Sequence, residues 1–445
     1  MLHMYYAVKE RDSLMKVGHL IRAERIRQEM KQLVLAKGIC TPSYLSKIER
    51  NLIFPSEDIV TLLFNRLGID ASKLQENDQQ KELDFEKMLK DSYKEVLTNR
   101  DENFTKQKLV YLEQHSPLFE NQTLYYTYLL IVLRFRITLG SNLDERKKEI
   151  DDLEALCKNF NPHQMYLYKV NKAIYYYSTE NRNKSIEYFE DALSLVDDIS
   201  LEIWEKAELN YMIGVIYTAD SRIFASIEYI RNALEYFREN FSMKRVLDCY
   251  ILIGITRKKS EQFPDALESY LKAMQICDEF NLHLEKGIVY HNLGSLYGTM
   301  GNSEDAIYYY KKSIEFKSDE DSPLISILNL VVEYSKMNNK QLVNEWCDKG
   351  ISKFLRLKDK NLTSYYHHFN IFKSLHSETG LSEIITEKAI EYFKSIQDYQ
   401  YVHKYSIALA EWYYNNRKYK LSSIYYQEAN RYGYIYRKIK KWEDL

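Results

Sequence analysis

Tyr290-His291-Asn292-Leu293-Gly294-Ser295-Leu296-Tyr297, then Gly301-Asn302, Ala306 and Tyr310, is one unit of a pattern that recurs along most of the chain. With Gly294 as anchor, an aromatic stands 3 residues on, a small residue 12 on and a second aromatic 16 on. Upstream, Gly254 has Ala266, Tyr270 and Ala273 at offsets 12, 16 and 19. Gly214 has Tyr217, Ser226, Ile230 and Ala233 at offsets 3, 12, 16 and 19, and Ala173 has Tyr176, Ser185, Phe189 and Ala192 at the same offsets. Downstream, Ala410 has Tyr413, Ser422, Tyr426 and Ala429, and weaker copies centre on Val331 and Asn370. The seven anchors are spaced 41, 40, 40, 37, 39 and 40 residues apart. A small anchor lets two antiparallel helices approach closely, and the small residue twelve on sits where the second helix crosses the first. The aromatics fill the space between hairpins. One hairpin cannot bury such a face alone, so the units must stack.

The composition agrees. Of 445 residues only 13 are Gly and 6 are Pro, too few for a fold that needs a turn every 8–12 positions, so the chain is read as long helices with short connections. The 40 tyrosines are largely explained by the repeat, because Tyr176, Tyr217, Tyr270, Tyr297, Tyr310, Tyr334, Tyr413 and Tyr426 occupy equivalent aromatic positions. Lys+Arg 62 against Asp+Glu 64 gives a net charge of −2, which excludes a wholly basic coat or an acidic tail but not a local basic face. The five cysteines, Cys40, Cys157, Cys249, Cys277 and Cys347, form no CxxC pair and fit reduced thiols in a cytoplasm. The longest largely apolar run, Leu124 to Leu133, stops at Arg134, half the ~20 residues a membrane span needs. Met1 to Lys16 lacks the apolar core of a signal peptide. Met15-Lys16-Val17 offers a second start beside Met1, in which case the first fourteen residues are an upstream extension.

The repeats resemble the tetratricopeptide repeat: small at its eighth and twentieth positions, aromatic at the eleventh and twenty-fourth, Ala at the twenty-seventh. The resemblance runs over residues 166–430 and is strongest at Gly254 and Gly294. The period of about 40 exceeds the usual ~34, so helices or connections are longer. Residues 83–160 carry further helical patterns over Leu83–Leu97, Asn103–His115, Leu124–Leu139 and Asp144–Phe160, read as one or two degenerate repeats. Tyr434–Leu445 reads as a capping helix.

Residues 17–70 have another texture, with short helical patterns separated by Gly and Pro. A first helix is expected over about Gly18–Met30, and a second over Lys31–Lys37 that stops at Gly38. Thr41 offers an N-cap and Pro42 suits the first helical position, so a third helix spans Pro42–Arg50. It buries Leu45 and Ile48 and exposes Ser43, Tyr44, Ser46, Lys47 and Arg50. Pro55-Ser56 opens a fourth helix that reaches Leu67 before Gly68. A helix, a tight turn and a second polar-faced helix form a helix-turn-helix, whose second helix enters the major groove. Gln32, then Ala36-Lys37-Gly38, then Tyr44-Leu45-Ser46-Lys47-Ile48-Glu49 resembles the lambda-repressor/Cro family. That resemblance implies that Gln32, Thr41, Ser43, Tyr44, Ser46, Lys47 and Arg50 contact double-stranded DNA. The apolar Leu33-Val34-Leu35 departs from the family's polar residues there and suggests a further partner on that face. Eight Lys/Arg against six Asp/Glu leave the head only +2, so specific binding calls for a homodimer or higher oligomer on adjacent half-sites.

The expected fold is thus all-α: a lambda-repressor-like head over 15–70, a polar linker over 71–82, and a right-handed superhelical repeat solenoid of about seven to nine units over 83–445. This combination resembles the peptide-pheromone regulators of the Rap–NprR–PlcR–PrgX group, and NprR-like members most. The resemblance implies a short, re-imported signalling peptide bound in the repeat groove, which switches oligomeric state and DNA binding. It also implies docking of a phosphorelay response regulator as an alternative or additional role in sporulation control. The residues offer a counterpart. Asn171, Asn292 and Asn329 each stand two before an anchor, and Asn210 lies two residues out of that register. An amide both donates and accepts, so stacked Asn side chains can hold a peptide backbone whatever its side chains, although Asn there often bonds only within the repeat. Arg134 and Arg136 interrupt an apolar helix, where either a carboxylate such as a peptide's pairs with them or they snorkel to solvent, the commoner outcome.

No phosphate-cradling glycine loop, GxSxG or HExxH occurs, so neither an enzyme nor a cofactor is expected. An aspartyl-phosphate phosphatase like the Rap relatives is disfavoured because the DNA-binding head replaces their N-terminal bundle. His367-His368 with His376 is the one histidine cluster, and adjacent helical residues point apart, so no metal is expected.

Overall fold

The computed structural model describes residues 15–50, 53, 55–69, 78–116, 121–140, 142–179, 181–316, 323–357, 362–378 and 380–437. Among them there is no strand. The chain divides into two units, residues 1–252 and 253–445.

The first unit opens with α1 (Met15–Arg27), α2 (Gln32–Ala36), α3 (Pro42–Glu49) and α4 (Glu57–Leu67). These pack Leu20, Ile21, Leu35, Leu45, Ile48, Leu63 and Leu67 into one small core. Local signals set their ends. Thr41 caps α3 by accepting from the Tyr44 amide at 3.1 Å, and Gly68 closes α4 in the left-handed region at φ 69°. The core also divides the expected apolar triplet: Leu35 is buried, while Leu33 and Val34 are 69% and 52% exposed. Then follow α5 (Asp78–Asn99), α6 (Glu102–His115), α7 (Gln122–Thr138) and α8 (Leu143–Glu154). α5 starts inside the stretch read as linker. α8 ends six residues before Phe160, and a short 3-10 turn, Cys157–Asn159, takes over.

Seven hairpins complete the described chain, and each anchor falls on the first helix of one. They are α9 (Pro162–Ser178) with α10 (Arg182–Ser194), α11 (Ile203–Ala219) with α12 (Ile223–Glu239), and α13 (Met243–Lys259) with α14 (Phe263–Glu279). The others are α15 (His283–Thr299) with α16 (Ser303–Phe316), α17 (Leu324–Lys336) with α18 (Lys340–Leu357), α19 (Thr363–Leu375) with α20 (Glu383–Ser395), and α21 (Tyr399–Asn415) with α22 (Tyr419–Tyr436). α13 begins in the first unit and ends in the second.

The anchor glycines are small for a definite reason: the residue sixteen on lies over them. A Cβ on Gly254 would come 2.3 Å from the Tyr270 ring, one on Gly294 2.7 Å from Tyr310, and one on Gly214 2.5 Å from Ile230. In two units the Ser twelve on donates its hydroxyl to the anchor carbonyl, Ser185 to Ala173 at 2.8 Å and Ser226 to Gly214 at 2.9 Å. Tyr426 breaks the expected pattern. It is 39% exposed, because no described hairpin follows to cover it. The separate capping helix expected from Tyr434 does not start there either. α22 passes unbroken through Gly433, held in the helix by the His403 ring, which a Cβ would meet at 2.8 Å. Residues 438–445 lie outside the described residues.

Candidate functional site

In the head, α3 is positioned by a buried carboxylate. Glu49 accepts from Arg25 Nε at 2.6 Å and Nη2 at 2.9 Å, and from Gln32 Nε2 at 2.6 Å. This ties α1, α2 and α3 together and employs Gln32 inside the molecule. Thr41 is engaged as the α3 cap. Tyr44 is half-buried with its body against the head core. Ser46 accepts from Arg50 Nη2 at 2.6 Å, while Ser43 and Lys47 on α3 and Arg50 at its C-cap are exposed. Of the head's cations, Arg25 and Arg27 are paired with carboxylates and Arg66 donates to the Leu35 and Lys37 carbonyls. Arg22 is half-buried, whereas Lys31, Lys37, Lys47 and Arg50 are exposed and, among the described residues, have no carboxylate partner, so these four supply the head's exposed positive charge.

In the repeats of the first unit, Asn171 is buried and its amide donates to the Leu130 carbonyl at 2.8 Å, clamping α9 to α7. Asn210 is half-buried. Arg134 does not snorkel. It is 4% exposed, and Nη2 donates to Glu208 Oε1 at 3.1 Å, so the carboxylate that meets it is the chain's own. Arg136 bridges Glu113 and Glu149. Glu208 also takes Arg100 at 3.3 Å and Arg245, which is 0% exposed and further bonded to Asp248 at 3.1 Å. Both Arg100 and Arg245 lie over the Tyr211 ring, at 4.5 and 4.3 Å. Burial alone would raise the Glu208 carboxyl, but Arg245, Arg100 and Arg134 outweigh it and hold it below the usual range. Burial likewise pushes the Arg134 guanidinium below its usual value. Arg134 Nε and Nη1 have no hydrogen-bond partner, and the side chain lines a cavity of about 10 Å³ with Tyr93, Tyr166, Trp204, Glu205 and Met212. That is room for roughly one water.

In the second unit, Asn292 is buried and donates to its own helix at the Ile288 carbonyl, 2.9 Å. Asn329 is half-buried in contact with the Tyr310 hydroxyl. His368 is buried against the Tyr405 hydroxyl, His367 stacks on Tyr392 at 4.5 Å, and His376 faces Ser335, so the three imidazoles do not converge. Among the described residues no group of three His, Cys, Asp or Glu could hold a metal, and no helix is long and apolar enough to cross a membrane.

Glu208, Arg100, Arg245 and Tyr211 escaped the sequence reading. A signal existed: Glu208 and Asp248 both stand six residues before their anchors.

Residues 21–74 match the helix-turn-helix family model and residues 247–319 the tetratricopeptide repeat model. The transcriptional activator NprA of Geobacillus stearothermophilus is 30% identical over 413 residues, covering 89% of this chain and 98% of its own length. That match is longer than the repeat body, so it reaches beyond it towards the head. The chain belongs to the NprA family. It is an all-α protein with a helix-turn-helix head and tetratricopeptide-type repeats. Response regulator aspartate phosphatase I of Bacillus subtilis is 25% identical over 340 residues, 73% of this chain and 83% of that one. The quorum sensor NprR from B. thuringiensis, apo, superposes with a TM-score of 0.63 at 19% identity over 79% of this chain and 99% of that one. NprR in complex with its cognate peptide NprX gives 0.59 at 19% identity over 78% and 99%. At these identities the NprR structures speak for the fold of this NprA relative.

Proposed function

We infer that this protein is a quorum-sensing transcriptional regulator: a short peptide held by the first helices of the repeats changes how its heads assemble on DNA. The carrying observation is that one chain joins an α3 that presents Ser43 and Lys47, with Arg50 at its C-cap, to a repeat array, in a family whose member NprA is a transcriptional activator. NprR is a quorum sensor solved with a cognate peptide, which supports the peptide half of the reading. On that reading Asn210 and Asn329, which are not fully buried, are the groups a peptide backbone meets, whereas Arg134 is enclosed against Glu208 beside room for about one water and serves the interior instead. Asn171 and Asn292 serve mainly to hold the first helices. Gln32 and Thr41 act by fixing α3, and Ser43, Tyr44, Ser46, Lys47 and Arg50 touch bases or phosphates. The site of action is the cytoplasm. A second role, docking a response regulator, is favoured by the likeness to response regulator aspartate phosphatase I, without a catalytic step being assigned here.

The test is gel retardation of the DNA flanking the protein's own gene, with and without peptides encoded by neighbouring short reading frames, alongside sedimentation of the full chain. Peptide-dependent shifts in both carry the reading; DNA binding and oligomeric state that no such peptide alters would refute it. A pull-down on residues 78–445, which keeps α5 whole, that captures a response regulator without DNA would establish the second role.

A further inference from the structure

Lys258 is an oddity on a first helix. It lies one turn past the anchor Gly254, half-buried, and its ammonium donates to Ser295 Oγ on α15 at 2.6 Å. Among the described residues no carboxylate is within ion-pair distance. Burial, with Lys259 adding, pushes its pKa down, and no negative group offsets this. An ammonium has three donors, and one hydroxyl uses one of them. A desolvated cation left this way is costly unless something anionic meets it.

The surroundings say what that is. Ile288, His291 and Ser295 stand 3 and 4 residues apart, hence on one stripe of α15, and the Lys258 bond fixes which way that stripe faces. Ile288 is 43% exposed. His291 bonds Ser326 at 3.0 Å and keeps the stripe joined to α17. An apolar contact, an imidazole edge and an ammonium–hydroxyl pair in line suit an extended peptide that ends or turns on a carboxylate.

We propose that Lys258, with Ser295, receives a carboxylate of the signalling peptide, either its C-terminus or an acidic side chain. This rests on the peptide-binding reading above and adds that the ligand is anionic at this point. Ser295 holds the ammonium in place in the free protein, and the incoming carboxylate takes the two remaining donors.

The experiment offers full-length protein three pools of random hexapeptides: free C-termini, amidated C-termini, and free C-termini without Asp or Glu. Retained peptides are quantified by mass spectrometry. Wild type should enrich the first pool. Loss of enrichment on amidation assigns the terminus, and loss in the third pool assigns a side chain. Lys258→Met should lower enrichment about tenfold or more, and Lys258→Arg should restore most of it. The thermal midpoint of Lys258→Met should hold or rise, since a poorly solvated charge is removed; a merely structural lysine would lower it. Enrichment indifferent to both carboxylate and Lys258→Met overturns this proposal alone. No enrichment of any pool by wild type overturns the peptide reading, and this proposal with it.

Discussion

Glu49 is the residue on which the head's geometry turns. It is buried, it carries both ends of the Arg25 fork, and it fixes Gln32, so it sets the angle at which α3 leaves the bundle. Removing one member of a buried pair strands the other charge, at about 3–5 kcal/mol. Glu49→Ala should therefore melt the head well before the repeats, seen as a separate early step in circular dichroism, and abolish DNA retardation. Lys47→Ala should leave both melting steps unchanged and weaken binding to all sequences alike. His368 gives a residue-scale prediction in pH. Burial, with Lys404 and His367 adding, pushes its pKa to about 3 from an ordinary 6.5, so the folded protein keeps the ring neutral against Tyr405. Below pH 6.5 the unfolded chain takes up a proton that the folded chain refuses. Stability is therefore full above pH 6.5 and falls as pH drops towards 3, by at most about 1.4 kcal/mol per pH unit from this group. In urea titrations at pH 7, 5.5 and 4, His368→Asn should flatten that fall; an unchanged slope would mean the imidazole does titrate in the folded state.

At the scale of the element, the hairpin turns follow a rule the sequence hides. Seven residues after five of the seven anchors the backbone is left-handed, at Ser221, Glu261, Gly301, Asn338 and Arg417. The next amide then bonds back to the carbonyl three after the anchor: Arg222 to Tyr217, Gln262 to Arg257, Asn302 to Tyr297, Asn339 to Tyr334 and Lys418 to Tyr413. This is the helix-stop geometry that favours glycine, yet glycine fills it only at Gly301. Ser221→Gly, Glu261→Gly and Arg417→Gly should each raise stability by about 1 kcal/mol, while Gly301→Ala should lower it similarly, measured by urea midpoints at constant slope. The same point explains which elements were readable. The head announced itself because Gly38, Thr41, Pro42 and Gly68 act on their immediate neighbours. The repeats showed through because the bulky side chain sixteen residues after Gly214, Gly254 and Gly294 requires the glycine. The turns stayed hidden because ordinary residues occupy them, and the partner of Arg134 stayed hidden because Glu208 lies 74 residues away. Periodicity reports a helix's faces; it does not pair charges between helices.

For the molecule as a whole, the open quantity is how many heads reach DNA at once, and electrostatics sets it. Nearly balanced total charge means no general attraction to the duplex, so affinity must come from the head. There the carboxylates already neutralise Arg25 and Arg27, Arg66 is spent on backbone carbonyls and Arg22 is half-buried, which leaves the exposed Lys31, Lys37, Lys47 and Arg50 to displace counterions. Each phosphate contact contributes about −0.9 to the slope of log binding constant against log salt. One head engaging all four cations reaches a slope of about −4, and two heads about −7. A single module with a net charge of +2 gives only weak, non-specific association, whereas two heads on half-sites about one helical turn apart double the contacts without new residues. Fluorescence anisotropy of the full chain on its operator, between 50 and 300 mM salt, should give a slope near −7 in the state competent for DNA. It should fall by about 2 for Lys47→Ala, because the substitution removes one contact from each of two heads. A wild-type slope no steeper than −4, dropping by about 1 in the variant, would mean that the protein reads DNA one head at a time and that its repeats regulate something other than pairing.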